Sequence, residues 1–124
     1  VRPDRVIAVD ALSAREAARL CRAVQVTDAG IVPGSGVGNA RSALTEETLG
    51  VPVVAVGVPT VVDARTLCAD LSGAEIDLPE DTELFVTPRD IDTRVRDSAR
   101  LVGYAIDLAL HDALTIEDID MFLA

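Results

Sequence analysis

Lysine is missing altogether: all eleven basic residues are arginine, set against twenty-one Asp and Glu, for a net charge of −10. A chain this acidic lacks the positive field that nucleic acid binding needs, so no direct nucleic acid partner is expected. Tryptophan is absent, and aromatics make up only 2%: Phe85, Tyr104 and Phe122. The core must be built from Val, Ile, Leu and Ala. That composition, with 49% hydrophobic residues, suits buried parallel strands in an α/β protein. No apolar run approaches the ~18 residues of a membrane-spanning helix, so no membrane role is expected. No signal peptide is visible; the first residue is not Met, which leaves room for a leader upstream. Cys21 and Cys68, the two cysteines, sit in apolar helical patterns without CxxC spacing. They read as buried thiols of a reducing compartment, and neither a metal nor a cofactor is expected. The lone histidine, His111, falls at a helix end, where a dipole or surface role is the default.

What is present reads as strands alternating with helices. A strand over Arg5 to Val9 opens the chain almost without lead-in, which suggests that sequence is missing upstream. Ser13 and Glu16 have capping-box spacing and predict a helix over Ala14 to Arg22. A strand over Ala23 to Thr27 precedes a glycine-dense stretch, Asp28 to Asn39. Thr45 to Gly50 reads as one helical turn stopped by glycine. Val51 to Val58 is the most buried-looking strand, with Pro52 and Gly57 predicting a bulge or an edge. A helix over Val62 to Leu71, an acidic loop over Ala74 to Glu83 and a short strand over Leu84 to Val86 follow. Thr87-Pro88 starts a long helix to His111, with Ile91, Val95, Ala99, Val102, Ile106 and Leu110 on one stripe. Thr115 caps a last short helix whose Ile116, Ile119, Phe122 and Leu123 should dock on the body. The expected fold is a layered α/β/α sandwich with a mostly parallel or mixed sheet.

The stretch from Asp28 to Asn39 holds four of the eight glycines. A phosphate cradle is the first idea it raises. The spacing is Gly34-x-Gly36-x-Gly38, whereas the dinucleotide fingerprint needs G-x-G-x-x-G; Asn39 and Arg41 occupy the positions of its last glycine. A P-loop needs a lysine, and none exists. Two readings remain open. One is an Ω-like loop packed on the sheet. The other is a cleft wall whose backbone N–H groups face a peptide or an oxyanion, with Gly34, Ser35, Gly36, Gly38 and Asn39 as candidates. Asp28 joins them as a carboxylate at a strand end, or simply forms an Asx turn.

Asp10 follows four apolar residues at the expected C-terminal end of the first strand. Open α/β sheets place their ligand crevice there. A half-desolvated carboxylate in that place suits acid/base work. The competing reading is that Asp10 hydrogen-bonds the turn from Ala11 to Ser13. Asp63, Asp90, Asp92, Asp97 and Asp107 read as helix caps or solvated faces. A triad of Ser35, His111 and Asp10 has little to support it.

Three stretches together resemble the spore germination protease family: Arg2 to Leu12, Asp28 to Arg41, and Glu47 to Val62. Phe85 to Asp92 and Ile106 to His111 are similar to its C-terminal region. The resemblance implies an endopeptidase of the aspartic type. Such enzymes degrade the small acid-soluble proteins that coat spore DNA, inside the spore core. It further implies a zymogen, a homotetramer and a fold similar to hydrogenase maturation peptidases. The family uses two aspartates, and the motif Val6-Ile-Ala-Val-Asp-Ala-Leu12 carries one of them over as Asp10. The other belongs to a Gly-x-Gly-Asn segment that this sequence does not contain. Residues 1–124 are therefore expected to be the C-terminal half of one peptidase domain, shorter than some members between Leu67 and Leu84. An N-terminal fragment of the same enzyme is the expected partner. A metal-assisted maturation-type peptidase and a non-catalytic assembly fragment are the alternatives.

Overall fold

Valine dominates the run from Val51 to Val62, and β-branched side chains favour a pleated, packed backbone. In the computed structural model this run becomes the central strand β3 (Val53–Asp63). Every residue from Ala55 to Pro59 is buried, and Val62 is only 1% exposed. The structure describes residues 2–75, 77–79 and 81–123. They form two compact units, divided between Ile91 and Asp92.

In the first unit β1 (Val6–Ala14) pairs parallel with β3, while β2 (Gln25–Thr27) and β4 (Phe85–Val86) both pair antiparallel with it. The described sheet is thus mixed, the second of the two expected forms: one parallel pair and two antiparallel ones. β2 lies beside residues 55–57 of β3, and β4 lies beside residues 62–63. The β1–β3 register slips after Leu12–Pro59, so that Ser13 pairs with Val61 and Thr60 is the extra residue. Proline has no N–H to give a ladder, and a bulge there accommodates it. The expected irregularity therefore exists, but at Pro59 and Thr60. The Thr60 carbonyl accepts a hydrogen bond from the Thr87 hydroxyl at 2.9 Å.

Two boundaries differ from the sequence reading for one reason. β1 runs on to Ala14, and the helix expected over Ala14 to Arg22 is absent. Only a 3₁₀ turn forms, Ala17–Arg19, capped by Glu16 with no side-chain bond. The Ser13–Glu16 box is not made. β3 continues past Pro59 and offers Val61 and Val62 as partners to Ser13 and Ala14. Ala14 is only 4% exposed, so burial in the sheet prevails over a local capping signal.

α1 (Glu46–Leu49) is the expected single turn, closed by reciprocal bonds between Thr45 and Thr48. α2 (Ala64–Ser72) starts where β3 stops, and Asp63 caps it by accepting the Thr66 N–H at 3.1 Å. Its Asp70 accepts the Ala17 N–H at 3.0 Å, and its Arg65 donates to the Pro79 carbonyl. The expected acidic loop, Ala74 to Glu83, is non-helical where described; Ile76 and Glu80 lie outside the described residues.

The second unit holds α3 (Ile91–Leu110) and α4 (Ile116–Leu123). α3 begins four residues after Thr87, because the Thr87 hydroxyl is engaged at Thr60 rather than at a helix N-terminus. Of the expected α3 stripe, Val102 is buried, Ile91 and Ile106 are half-buried, and Val95, Ala99 and Leu110 are exposed. In α4 only Ile119 is buried among the described side chains, whereas Ile116 and Phe122 are exposed; the Leu123 side chain lies outside them.

Candidate functional site

Asp10 lies in the middle of β1 rather than at its end, paired in register with Gly57. Successive side chains of a strand alternate between faces. Asp10 therefore shares a face with Ala8, Leu12 and Ala14, of which Ala8 and Ala14 are buried. Val9 and Ala11, on the other face, are exposed. The carboxylate is half-buried and accepts the backbone N–H of Ala11 at 2.9 Å. The local hydrogen bond weighed as the alternative reading of Asp10 is present, but within an extended strand instead of a turn. Leu12 covers Gly57: a Cβ built at that glycine would lie 2.3 Å from Leu12 Cδ1. Asp10 thus stands beside a strand position that projects nothing of its own.

The glycine stretch is the Ω-like loop of the two readings. Ile31 and Leu44 close its neck with a pair of backbone bonds, 3.0 and 2.7 Å. Gly34 takes a left-handed φ of 75°, and a Cβ on it would sit 2.1 Å from the Asn39 carbonyl oxygen. The N–H groups of Ser35, Val37, Asn39 and Arg41 donate to Val32, Gly34, Gly34 and Pro33 respectively. Of the candidate donors, those of Ser35 and Asn39 are thus bonded inside the loop and not aimed at a substrate oxyanion.

The loop faces the end of β1. A Cβ on Gly36 would lie 3.1 Å from Ser13 Cβ and 3.2 Å from Ser13 N. Between them opens a cleft of about 410 Å³ lined by Leu12, Ser13, Ala14, Arg15, Ser35, Gly36 and Thr66. Of the loop candidates, Ser35 and Gly36 line this cleft; Gly34, Gly38 and Asn39 do not, and neither does Asp10. Ser13 alternates onto the face of β1 opposite Asp10. The loop and the Asp10 carboxylate are linked only through the shared strand, Ser13 lying three residues after Asp10. Asp28 is exposed, and the turn after it is made by Thr27, whose hydroxyl accepts the Ala29 N–H at 3.1 Å. The sequence alone does not single out Arg15 or Thr66. Arg15 is hidden inside an expected helix, and Thr66 meets the cleft only because β3 turns directly into α2.

A second open cleft, about 660 Å³, runs along α2 and is lined by Arg65, Thr66, Ala69, Glu75 and Asp77. Among the described residues no group of three or more His, Cys, Asp and Glu could hold a metal ion. Cys21 and Cys68 form no disulfide, and both are half-buried. Cys21 takes a left-handed φ of 54° after the 3₁₀ turn, with its N–H donating to Pro59 O at 2.7 Å.

The family model described as germination protease matches residues 1–74, which include β1 with Asp10, the glycine loop, β3 and α2. The chain belongs to the germination protease family. The germination protease of Clostridium tetani is 37% identical over 155 residues, covering 99% of this chain and 48% of the relative. That of Caldanaerobacter subterraneus is likewise 37% identical, with the same coverage. The germination protease of Halalkalibacterium halodurans is 61% identical over a shorter stretch of 69 residues, 56% of this chain and 18% of its own length. The chain spans about half the length of the first two germination proteases. An aligned stretch of 155 residues that uses 99% of a 124-residue chain also places gaps in this chain. No described helix is long and apolar enough to cross a membrane.

Proposed function

We propose that this chain is the part of a spore germination endopeptidase that carries Asp10, one member of a catalytic carboxylate pair. Membership of the germination protease family is the observation that carries the reading, since the family match spans the Asp10 strand. The half-buried position of Asp10 on the covered face of β1 supports it.

In the proposed mechanism a second aspartate, from the part of the protein that this chain does not match in its relatives, faces Asp10. One carboxyl is protonated and the other ionised, because two like charges at close range do not both ionise. The ionised one takes a proton from water as that water attacks the scissile carbonyl. The protonated one donates to the carbonyl oxygen, and the proton then passes to the leaving amine. The pair titrates as a unit.

The substrates are proposed to be the small acid-soluble proteins of the spore, and the place of action the spore core. A zymogen, a homotetramer and a layered fold similar to hydrogenase maturation peptidases complete the proposal. All of these rest on the family resemblance. The test is Asp10→Asn in the complete enzyme, with cleavage of a small acid-soluble spore protein as readout. Expected is a loss of at least about 10²-fold, the scale of a lost acid–base group, with melting unchanged. Undiminished cleavage by the variant overturns the proposal.

A further inference from the structure

The cleft at the end of β1 is built by three segments of this chain: the last residues of β1, the glycine loop and the start of α2. All three lie within the residues 1–74 that the family model matches. Its lining holds one charged side chain, Arg15, and no carboxylate. An arginine so placed is conspicuous in a chain with twenty-one Asp and Glu. Arg19 pairs with Glu16, and Arg65 donates to the Pro79 carbonyl. Among the described residues the Arg15 side chain makes neither an ion pair nor a hydrogen bond. Serine hydroxyls commonly bond to nearby backbone. Those of Ser13 and Ser35 bond to no described group, although Ser13 is half-buried. The Gly36 N–H takes no part in the bonds that tie the loop together. Gly36, having no side chain, lets the loop backbone come up to Ser13. The Thr66 hydroxyl, by contrast, is already given to Asp63 at 3.4 Å.

We infer that this cleft is a binding site for a carboxylate group, held by the Arg15 guanidinium, the hydroxyls of Ser13 and Ser35 and the Gly36 N–H. Unengaged donors with no competing anion call for a ligand that only accepts hydrogen bonds. The guanidinium fork matches the two oxygens of a carboxylate in a planar, two-bond pairing. A net charge of −10 opposes a dianion more strongly than a monoanion, which selects a carboxylate over a phosphate. The space of about 410 Å³ is more than a carboxylate alone fills, and Leu12 and Ala14 give it an apolar side. It therefore takes the group together with the carbon chain that carries it. Two sources supply such a group: an acidic side chain of a peptide, or a small free acid. The peptide source rests on the peptidase reading, whereas the site itself does not.

The experiment uses the complete enzyme carrying Asp10→Asn, so that a bound peptide stays whole. Acetate, and two short peptides that differ only by Glu against Gln at one position, are titrated by ligand-observed saturation-transfer NMR. The Glu peptide should bind at least about tenfold more tightly than its Gln twin, and Arg15→Gln should remove that preference with melting unchanged. Arg15→Lys keeps the charge without the fork and should restore only part of it. Should Arg15→Gln fail to fold, Ser35→Ala decides, by weakening binding of the Glu peptide severalfold. Saturable acetate binding that Arg15→Gln abolishes, with equal binding of the two peptides, would support the site and make a small free acid its ligand. Neither a Glu preference nor saturable acetate binding overturns the inference, and that is the result if a carboxylate from the rest of the enzyme already pairs with Arg15. Undiminished binding by a folded Arg15→Gln overturns it as well. Cleavage of the Glu peptide by the Asp10→Asn protein would instead overturn the proposed function, and the acetate titration would still decide the site.

Discussion

Asp10 is bonded to the N–H of the very next residue, and that short tether is the smallest unit with consequences for function. A carboxylate so engaged is held along the strand edge. Ala11→Pro removes that N–H and should free the carboxylate from it, which the Asp10 side-chain carboxyl resonance would show as a shift. Glycines give the sharpest stability predictions at this scale. Gly34→Ala should destabilise by at least about 1–2 kcal/mol, the cost of a Cβ in the left-handed region, with more from the contact at Asn39 O. Gly103, in α3, has open space around its built Cβ, and Gly103→Ala should stabilise by about 0.5–1 kcal/mol. Denaturant melts of both variants check the pair, and equal signs would refute the reading. The motif singled out Asp10 as a candidate, and its local bond to Ala11 was one of the two readings; what the sequence did not show is that β1 runs on past it, so that the bond lies within a strand.

Among the elements, the capping signals in the sequence met different fates. Thr45 with Thr48 and Thr115 with Asp118 formed their boxes. Ser13 with Glu16 did not, since β3 offered Ser13 and Ala14 a strand instead. Local chemistry was readable in each case. What decided between cap and strand was the length of β3, which runs five residues beyond the apparent end of its valine run at Val58. In the Thr115 box the Asp118 carboxylate accepts both the N–H and the hydroxyl of Thr115 at 2.8 Å. The backbone bond chiefly, and then the hydroxyl, hold its pKa below the ordinary 3.8. Being depressed in the folded state, it adds stability that is complete above 3.8 and is lost as the pH falls through the lower folded value. The amides of α4 should therefore lose protection in acid through that window, followed by NMR, and Asp118→Asn should flatten the profile.

For the molecule as a whole, the α/β class was legible and a mixed sheet was one of the two forms expected, but which strands pair antiparallel was not. Alternation of strands and helices suggested parallel pairing; β2 and β4 pair antiparallel because both come back along the far side of β3. A surface with a net charge of −10 should show no retention of duplex DNA at physiological salt, checked by electrophoretic mobility. All the described strand pairings of the first unit share one member, and Cys21 and Thr87 add their bonds to that same strand at Pro59 and Thr60. Such a star-shaped sheet has no redundant contact: among the described residues β1, β2 and β4 never pair with one another. Loss of β3 order dissolves all of it together. Each arm must also close its own chain loop onto the hub, and those loops span tens of residues, so the first unit is built from long-range contacts and should fold slowly for its size. The most protected amides of the other three strands should then open with a common free energy, as one cooperative unit.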